Sequence, residues 1–345
     1  MSPAPTMTSL VGLIVLLLAG APTASAVSAS AERVEVIAAG LDGPRGLTPL
    51  PGGGVLVAES GRGGAGPCVP VLGGFEGCLG TTGAVTMAAC GGQRRIVTGL
   101  PSLYVADLQE ALGPYDVALG PSGPVLVSVG FGGDVAVRPE LGPVGAALGQ
   151  VVRAWPDGRW AAFADIAGHR GPGAGSQPWG LHADGGRLHV TDAMTGSLHT
   201  VDRRGRIGTV PLEGTLRQPT TVVRGPDGAF YVGEFAFNDP GQARVLRLEP
   251  GAPVTVHATG FTHVSDLAFD AEGDLLVLEY AKNGVLSGDP TGRLTRIGAD
   301  GSRTEIAAGL LENPTSVAAP GPGVLYVSNK GISIGAGEVL RVTTG

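Results

Sequence analysis

Charged residues are scarce in this 345-residue sequence: Asp, Glu, Lys and Arg make up 15% of it, and the formal net charge is −7. No long run of basic or acidic residues is present. Nucleic-acid binding of the general kind requires a clustered basic face, and this composition argues against it. Aromatic residues are also few, at 5%. We therefore expect a core made mainly of Val, Leu, Ile and Ala.

Long apolar segments are missing as well, so no transmembrane helix is expected. The one apolar run, Leu10–Ala19, is too short to span a bilayer and precedes small residues at 24–26 and 29–31, an order typical of a signal peptide. Residues 1–9 hold no Lys or Arg, which departs from that pattern. We expect a signal peptide over residues 1–26, with cleavage after residue 31 as the alternative, and a secreted single domain over 32–345.

Cysteine occurs only at Cys68, Cys78 and Cys90. Export permits disulfide formation. Cys68 and Cys78 flank a nine-residue loop that contains glycine, and they are the pair that we expect. Three cysteines do not fix the pairing from sequence alone, and Cys90 has no assigned role.

Glycine and proline, in contrast, are abundant: 60 and 27 residues, about a quarter of the chain. Without a period such content indicates disorder, but 43% hydrophobic residues are enough for a core. A period does exist, because a four-residue anchor recurs at intervals of 70, 64, 41, 45 and 50 residues. The six anchors are Pro44-Arg45-Gly46-Leu47, Pro114-Tyr115-Asp116-Val117, Pro178-Trp179-Gly180-Leu181, Pro219-Thr220-Thr221-Val222, Val264-Ser265-Asp266-Leu267 and Pro314-Thr315-Ser316-Val317.

Each anchor is followed by a turn rich in Gly, Pro or Asp and then by a short apolar strand. Pro presets φ and Gly supplies positive φ, so these turns predict tight hairpins. The shorter intervals match a four-stranded propeller blade, roughly 40–50 residues. We therefore predict an all-β fold, a six-bladed β-propeller with four strands in each blade.

The last repeat ends at its third strand, Val339–Val342, and lacks a fourth. A strand-like segment, Val34–Ala38, precedes the first anchor and resembles the fourth strand Glu305–Ala308 of another repeat. We predict that this N-terminal strand joins the last blade. Such pairing closes the ring and removes an exposed sheet edge.

Functional residues are expected on one face of the predicted disc. Because neighbouring strands are antiparallel, the connections into the first strand and from the second to the third lie on the same side. The extra length of the chain falls in these connections, at 60–83, 101–113, 130–149 and 168–177. Functional insertions of repeat proteins commonly gather on one face, although such loops can also merely cover a channel mouth.

Polar and aromatic residues stand at the strand ends of that face. Candidate ligand contacts at the start of the first strands are Arg45, Tyr115, Asp116, Trp179 and Asp266. Candidate metal ligands at the end of the second strands are Glu59, Asp192, Glu234 and Glu279. Converging carboxylates could bind a hard cation such as Ca²⁺ through oxygen, or raise one another's pKa and act as acid or base. Alternatively, they accept backbone N–H groups of neighbouring turns.

Several runs resemble the ScyD/ScyE family over residues 32–343: Gly113–Val117, Phe131–Asp134, Leu148–Arg153, Ala258–Thr262, Asp266–Phe269, Pro314–Val317 and Leu325–Asn329. Cys68 and Cys78 also fit. The resemblance implies an exported, propeller-like protein, and it implies no particular reaction. One segment departs from the family pattern, because Gly233–Phe237 runs quickly into Asn238 and leaves a short loop.

The residues favour a binding or scaffold protein that takes a small molecule, a glycan or a protein on the loop-rich face. The Gly-x-Ser-x-Gly motif of a serine hydrolase is absent from the sequence. The alternative is a Ca²⁺-dependent hydrolase or lactonase similar to the paraoxonase, gluconolactonase and strictosidine synthase propellers. Those enzymes usually place Asn after the anchor proline, where this chain has Arg45, Tyr115, Trp179, Thr220 and Thr315. A purely structural secreted module is a third possibility.

Overall fold

The computed structural model describes residues 1–3, 32–89, 91–120, 123–155, 157–212, 215–237 and 239–344. The chain divides into two compact units, Met1–Ser30 and Ala31–Gly345, and the fold below is that of the second. The predicted signal peptide, apart from its first three residues, lies outside the described residues, as do its cleavage sites and Cys90.

Antiparallel β-strands make up most of the described chain. The N-terminal strand is β1 (Arg33–Leu41). The first sheet contains β2 (Pro44–Pro49), β3 (Val55–Glu59), β4 (Cys68–Val71), β5 (Phe75–Ala89), β6 (Gly92–Val105) and β7 (Glu110–Leu112). The next segment contains β8 (Pro114–Leu119), β9 (Val125–Val129), β10 (Gly133–Asp134), β11 (Gln150–Ala154), β12 (Trp160–Asp165) and β13 (Gly175–Ser176). Of these, β8, β9, β11 and β12 form the second sheet, and β10 pairs with β13.

Four further sheets follow in chain order. The third contains β14 (Pro178–Asp184), β15 (Arg187–Asp192), β16 (Ser197–Val201) and β17 (Ile207–Thr209). The fourth contains β18 (Pro219–Arg224), β19 (Phe230–Glu234), β20 (Ala243–Leu248) and β21 (Thr255–Phe261). The fifth contains β22 (Val264–Phe269), β23 (Leu275–Glu279), β24 (Arg293–Ile297) and β25 (Arg303–Ile306), and the sixth contains β26 (Ser316–Gly321), β27 (Val324–Asn329), β28 (Gly337–Thr343) and β1.

Helical segments are short. The two α-helices are α1 (Gly142–Gly145) and α2 (Ile166–Arg170), and 3₁₀ turns cover Ala106–Leu108, Val135–Leu141 and Val285–Ser287. The predicted all-β fold is therefore confirmed. Five anchors begin at the first residue of a first strand, namely β2, β8, β14, β18 or β22, and the sixth begins two residues before β26. Proline is tolerated there because the first residue of a strand need not donate to the ladder.

The two ends of this unit meet in the sixth sheet. Strand β1 pairs antiparallel with β28, from Arg33 opposite Thr343 to Leu41 opposite Gly337. The first strands of the sheets also contact one another in succession, from β2 through β8, β14, β18 and β22 to β26, and β26 contacts β2. The first strands of the six sheets are therefore neighbours of one another in succession.

The core lies between neighbouring sheets and consists mainly of aliphatic side chains. The second strand of every sheet has a fully buried valine at the same position: Val57, Val127, Val190, Val232, Val277 and Val327. Burial of one such side chain stabilises the fold by about 1.5–3 kcal/mol. The largest cluster extends from the first sheet to the second and includes Leu103, Phe131 and Leu148.

All four predicted loop segments contain strand residues, and two of them extend a long hairpin. Strands β5 and β6 continue to pair beyond the part of the first sheet that β3 covers, as far as Gly77 opposite Val105, so residues 75–83 and 101–105 are part of a long hairpin. Extended backbone satisfies its N–H and C=O groups by this pairing. Cys68 lies opposite Cys78 across β4 and β5, and the expected disulfide between them is present.

Candidate functional site

One side of the sheets carries the long connections. We call it the loop-bearing face; on this side β2 begins at Pro44 and β3 ends at Glu59. The opposite side, with the tight turns between first and second strands such as residues 50–54, is the hairpin face. Segments 130–149 and 168–177 contribute β10, β13, α1 and α2 to the loop-bearing face.

The five predicted ligand contacts lie around one cavity where the first strands meet. Each sheet contributes the second and third residues of its anchor to this axial cavity: Arg45, Gly46, Tyr115, Asp116, Trp179, Gly180, Thr220, Thr221, Ser265, Asp266, Thr315 and Ser316. The structure thus brings together residues that are far apart in the sequence. Their role as ligand contacts remains a prediction.

Arg45 is the buried cation of the axial cavity. Its Nη2 pairs with the Glu110 carboxylate, and its guanidinium lies 4.8 Å from the centre of the Tyr115 ring. The Tyr115 hydroxyl donates to the same carboxylate at 3.3 Å. Burial alone would lower the pKa of Arg45, but Tyr115 and Glu110 outweigh it and raise that pKa. Burial, followed by the charge of Glu110, raises the pKa of Tyr115. Arg45 is therefore a permanent positive charge at neutral pH.

The Nε atom of Arg45 has no hydrogen-bond partner among the described residues, although it is buried. A buried donor without an acceptor costs about 1–3 kcal/mol. An oxygen of a bound molecule or of water would satisfy this atom. The guanidinium of Arg45 therefore has one buried N–H donor without a partner among the described residues.

Asp116 and Asp266 are the two half-buried acids of the cavity. Asp116 accepts the backbone N–H groups of Val117 at 2.8 Å and Leu181 at 2.7 Å. Asp266 accepts the Thr221 hydroxyl at 2.7 Å and the Val317 N–H at 2.9 Å. Burial and then the charge of Asp266 raise the pKa of Asp116 well above its usual value, and burial raises the pKa of Asp266.

The third anchor residue connects neighbouring sheets. In the bonds to Leu181 and Val317, the acid of one sheet accepts the N–H of the fourth anchor residue of the next sheet. Where the third residue is Gly46, a Cβ atom would lie 1.9 Å from Asp116 Oδ1 and 2.7 Å from Asp116 Cα. Any side chain there would collide with the neighbouring acid, which explains the glycine in the first anchor.

Aromatic rings run outward from the cavity in a series that we call the aromatic track: Tyr115, Trp179, Phe235 and Phe237. Successive ring centres are 4.7, 6.2 and 6.2 Å apart. Tyr115 is 3% exposed, whereas Phe237 is 47% exposed. The track thus joins the buried cavity to the surface of the loop-bearing face, where Phe237 lies in the connection between β19 and β20.

Two further rings flank the track at Phe235. His263 stacks on Phe235 with centres 4.1 Å apart and planes 9° apart, and Tyr280 lies 6.4 Å away. Burial lowers the pKa of His263, so the imidazole is neutral at pH 7 and stacks as an uncharged ring. Burial, then the charge of Glu110, raises the pKa of Tyr280.

The four candidate metal ligands lie in four different sheets. Each accepts the backbone N–H of a residue just before the first strand of its own sheet: Asp42 for Glu59, Gln177 for Asp192, Arg217 for Glu234 and Thr262 for Glu279. Asn329 of the sixth sheet accepts the Glu312 N–H in the same way. Apart from the pair in the third sheet, each donor lies 17 residues before its acceptor.

Arginines neutralise three of these four carboxylates. Arg95 pairs with Glu59 at 2.6 Å, Arg244 with Glu234 at 2.8 Å and Arg293 with Glu279. Burial nevertheless raises the pKa of Glu279. Within the described residues, the only three His, Cys or acidic side chains close enough to share an ion are Cys68, Glu76 and Cys78, and the cysteines are disulfide-bonded. The four carboxylates therefore do not fit a common Ca²⁺ site, and they fasten the strand ends instead.

Exposed large apolar side chains concentrate on the loop-bearing face. Six of them lie in its connections: Phe75, Met194, Phe237, Leu286, Leu310 and Ile334. The other two in the described part of 32–344, Val36 and Val256, lie on the outermost strands β1 and β21. Single exposed apolar residues are ordinary, and six of these eight lie on the loop-bearing face.

Sequence reasoning missed Glu110, Tyr280 and Phe237. A signal for Tyr280 does exist, because it directly follows Glu279 at the end of a second strand, just as Phe235 follows Glu234. The aromatic residues at that place in these two neighbouring sheets have ring centres 6.4 Å apart. No comparable pattern marks Glu110, which lies in the long insertion of the first sheet.

The sequence matches no family model, and a search of curated proteins finds no match. Among solved structures, streptogramin B lyase is 14% identical, with a TM-score of 0.54 over 91% of this chain and 98% of that chain. Virginiamycin B lyase from Staphylococcus aureus is 16% identical, with a TM-score of 0.50 over 91% and 99%. A putative gluconolactonase is 13% identical, with a TM-score of 0.53 over 91% and 92%.

At these identities the likeness concerns the fold alone. The chain has an all-β fold of the propeller class to which these structures belong. In the residues described, no helix is both long and apolar enough to span a membrane.

Proposed function

We propose that the protein is an exported six-bladed β-propeller of the ScyD/ScyE type that binds a partner molecule through its loop-bearing face. The six sheets, the succession of contacts among their first strands and the pairing of β1 with β28 support a closed ring. Export is supported by the apolar N-terminal run and by the Cys68–Cys78 disulfide. The N-terminal residue of protein recovered from culture medium tests the export, with Val27 or Glu32 expected.

The observation that carries the binding function is the aromatic track. It offers a graded series of rings from exposed Phe237 to buried Tyr115, with the charge of Arg45 at its inner end. Aromatic side chains and arginine are the residues that contribute most to binding energy at recognition surfaces. The ligand is therefore a molecule that presents an apolar or aromatic group to the exposed end of the track at Phe237, since the cavity beside Arg45 has a volume of only about 10 Å³.

Paired variants test this function. Phe237→Ala with Leu286→Ala removes exposed apolar area from the loop-bearing face, and Val36→Ala with Val256→Ala removes exposed area from outer strands. Purified wild type and both variants are immobilised and exposed to culture medium and cell-envelope extract, and the bound molecules are measured by mass spectrometry. We expect the face variant to capture a specific molecule at least tenfold less than wild type, and the outer-strand variant to capture it normally. Equal capture by all three proteins contradicts the proposal.

A Ca²⁺-dependent hydrolase or lactonase is the second candidate. The observation that favours it is that Asp116 and Asp266 both line the axial cavity, where burial and then the charge of Asp266 raise the pKa of Asp116, as a general acid requires. Metal analysis of purified protein and thermal unfolding with and without chelator test this candidate. Stoichiometric calcium together with a lower Tm in chelator would support it over the binding function.

A further inference from the structure

A second cavity of about 450 Å³ lies on the hairpin face, between the second and third sheets. Its volume falls within the range of small-molecule sites. Apolar side chains of both sheets line it, among them Leu126, Phe163 and Leu188. This cavity is remote from the axial cavity, with which it shares no lining residue.

Three arginines, Arg153, Arg187 and Arg203, line the same cavity. None of them forms a salt bridge within the part of the chain that the structure describes. The two acids of the lining are both neutralised by other arginines: Asp184 pairs with Arg224 at 2.9 Å, and Asp202 pairs with Arg206 at 2.6 Å. The cavity therefore has a net positive charge.

One of these arginines, Arg153, is already held in position. The Arg153 guanidinium lies 3.7 Å from the centre of the Phe163 ring and donates at 2.9 Å to the carbonyl oxygen of Arg203. The Arg203 guanidinium lies against Gly186, where a Cβ atom would be only 2.3 Å from its Nε. Side chains fixed by stacking lose less conformational entropy when they bind a ligand. Planar guanidinium groups also suit carboxylate, sulfonate and phosphate oxygens.

We propose that this cavity is a binding site for an organic anion with an apolar body. The aliphatic and Phe163 side chains contact the apolar body, and Arg153, Arg187 and Arg203 pair with the anionic group. The site is independent of the loop-bearing face, so the protein has two binding regions on opposite sides. A purely inorganic anion would leave the apolar lining unused, and a neutral apolar molecule would leave three arginines without a counter-charge.

Isothermal titration with naphthalene-1-sulfonate and with neutral naphthalene-1-methanol tests this site. We expect the sulfonate to bind one site in each chain and the alcohol to bind at least tenfold more weakly. Arg187→Gln with Arg203→Gln should weaken sulfonate binding at least tenfold. Arg94→Gln with Arg170→Gln removes the same charge from exposed positions outside the cavity and should leave binding unchanged.

A second variant addresses the cavity without changing its charge. Ala183→Trp places a large ring into the exposed lining, and we expect it to abolish sulfonate binding while circular dichroism shows an unchanged fold. Phe237→Ala with Leu286→Ala on the opposite face should bind the sulfonate as wild type does. Absence of sulfonate binding to the wild type, or equal binding by the two arginine variants, would overturn the proposal without affecting the function of the loop-bearing face.

Discussion

The backbone N–H of Leu47 donates to the hydroxyl oxygen of Ser316, 3.1 Å away and 269 residues later in the chain. The same hydroxyl donates to Asp266 Oδ2 at 2.5 Å. One serine side chain thus connects the first, fifth and sixth sheets beside the axial cavity. Buried polar atoms that lie among several elements fix the position of those elements more sharply than apolar contacts do.

Ser316→Ala leaves the Leu47 N–H without its acceptor and Asp266 without one donor. We expect it to lower the free energy of unfolding by about 1–3 kcal/mol, the cost of an unsatisfied buried group. Urea denaturation followed by circular dichroism measures the change. Ser302→Ala, at an exposed serine, is the control and should have little effect. Equal stability of the two variants would contradict a linking role for Ser316.

Gly46→Ala should destabilise the fold because the new Cβ would collide with Asp116 at its Cα and Oδ1 atoms. Overpacking of this kind costs about 1–3 kcal/mol. Gly321→Ala is the matched control, since its Cβ would enter open space and its φ is not positive. Thermal unfolding of both variants checks this, and a Gly46→Ala protein as stable as Gly321→Ala would disprove the close approach.

Glu59→Ala should be among the most damaging substitutions. It removes the acceptor of the Asp42 N–H and leaves Arg95 without this carboxylate partner. Arg95 is 39% exposed and keeps Asp42 as a partner, so the main cost is the unsatisfied buried N–H of Asp42, about 1–3 kcal/mol. Glu76→Ala, at an exposed glutamate of the same sheet, is the control for loss of the charge. Denaturant titration distinguishes the two, and a fully stable Glu59→Ala protein would show that this carboxylate does not fasten the strand end.

The lowered pKa of His189 predicts that the folded state loses stability in mild acid. Burial, followed by the neighbouring His182, lowers the pKa of His189 from 6.5 to about 4. As pH falls from 6.5 toward 4, the unfolded chain takes up a proton at this position and the folded chain does not, so the folded state loses stability. His189→Gln should therefore show a flatter decline of unfolding free energy across this range, while His169→Gln, at an exposed histidine, should follow the wild type. Parallel curves for wild type and His189→Gln would contradict the prediction.

The disulfide should stabilise the β4–β5 hairpin of the first sheet more than it stabilises the other five sheets. Cys68→Ser with Cys78→Ser removes a crosslink with a sequence separation of 10, and a loop of that size corresponds to about 3 kcal/mol in the chain-entropy model. We expect limited proteolysis to cut the variant first within residues 60–80 while the remaining sheets stay protected. Simultaneous degradation of the whole chain would show that the crosslink supports the entire fold.

The repeated anchors made the fold class and the axial residues predictable. A first strand begins at the same place in every repeat, so residues such as Arg45 and Asp266 had to meet wherever first strands meet. The strand-end carboxylates were located correctly, but their role was not decided by sequence. Their partners are backbone N–H groups and arginines of other strands, such as Arg95 and Arg244, and only folding brings these close.

Insertions were the part that sequence could not resolve. The sequence predicts loops for the glycine-rich segments around Gly80. Their backbones pair instead, because glycine allows a close approach: a Cβ atom at Gly80 would lie 1.9 Å from the Gly63 carbonyl oxygen. Glu110 pairs with Arg45 because the fold of this insertion places β7 beside the first strand. Residues that depend on irregular pairing of this kind have no periodic signature.

The pairing of β1 with β28 is expected to form late during folding. Each of the first five sheets is made from neighbouring stretches of chain, whereas the sixth needs residues 33–41 and 337–343 together. Contacts between such distant segments carry the largest loop-closure entropy and form slowly. We therefore expect β1 to pair with β28 late in folding. Until it does, the edge of β28 is open to pairing with another chain. Pairing with β1 covers the edge of β28 and leaves β1 as the outer strand of the sixth sheet.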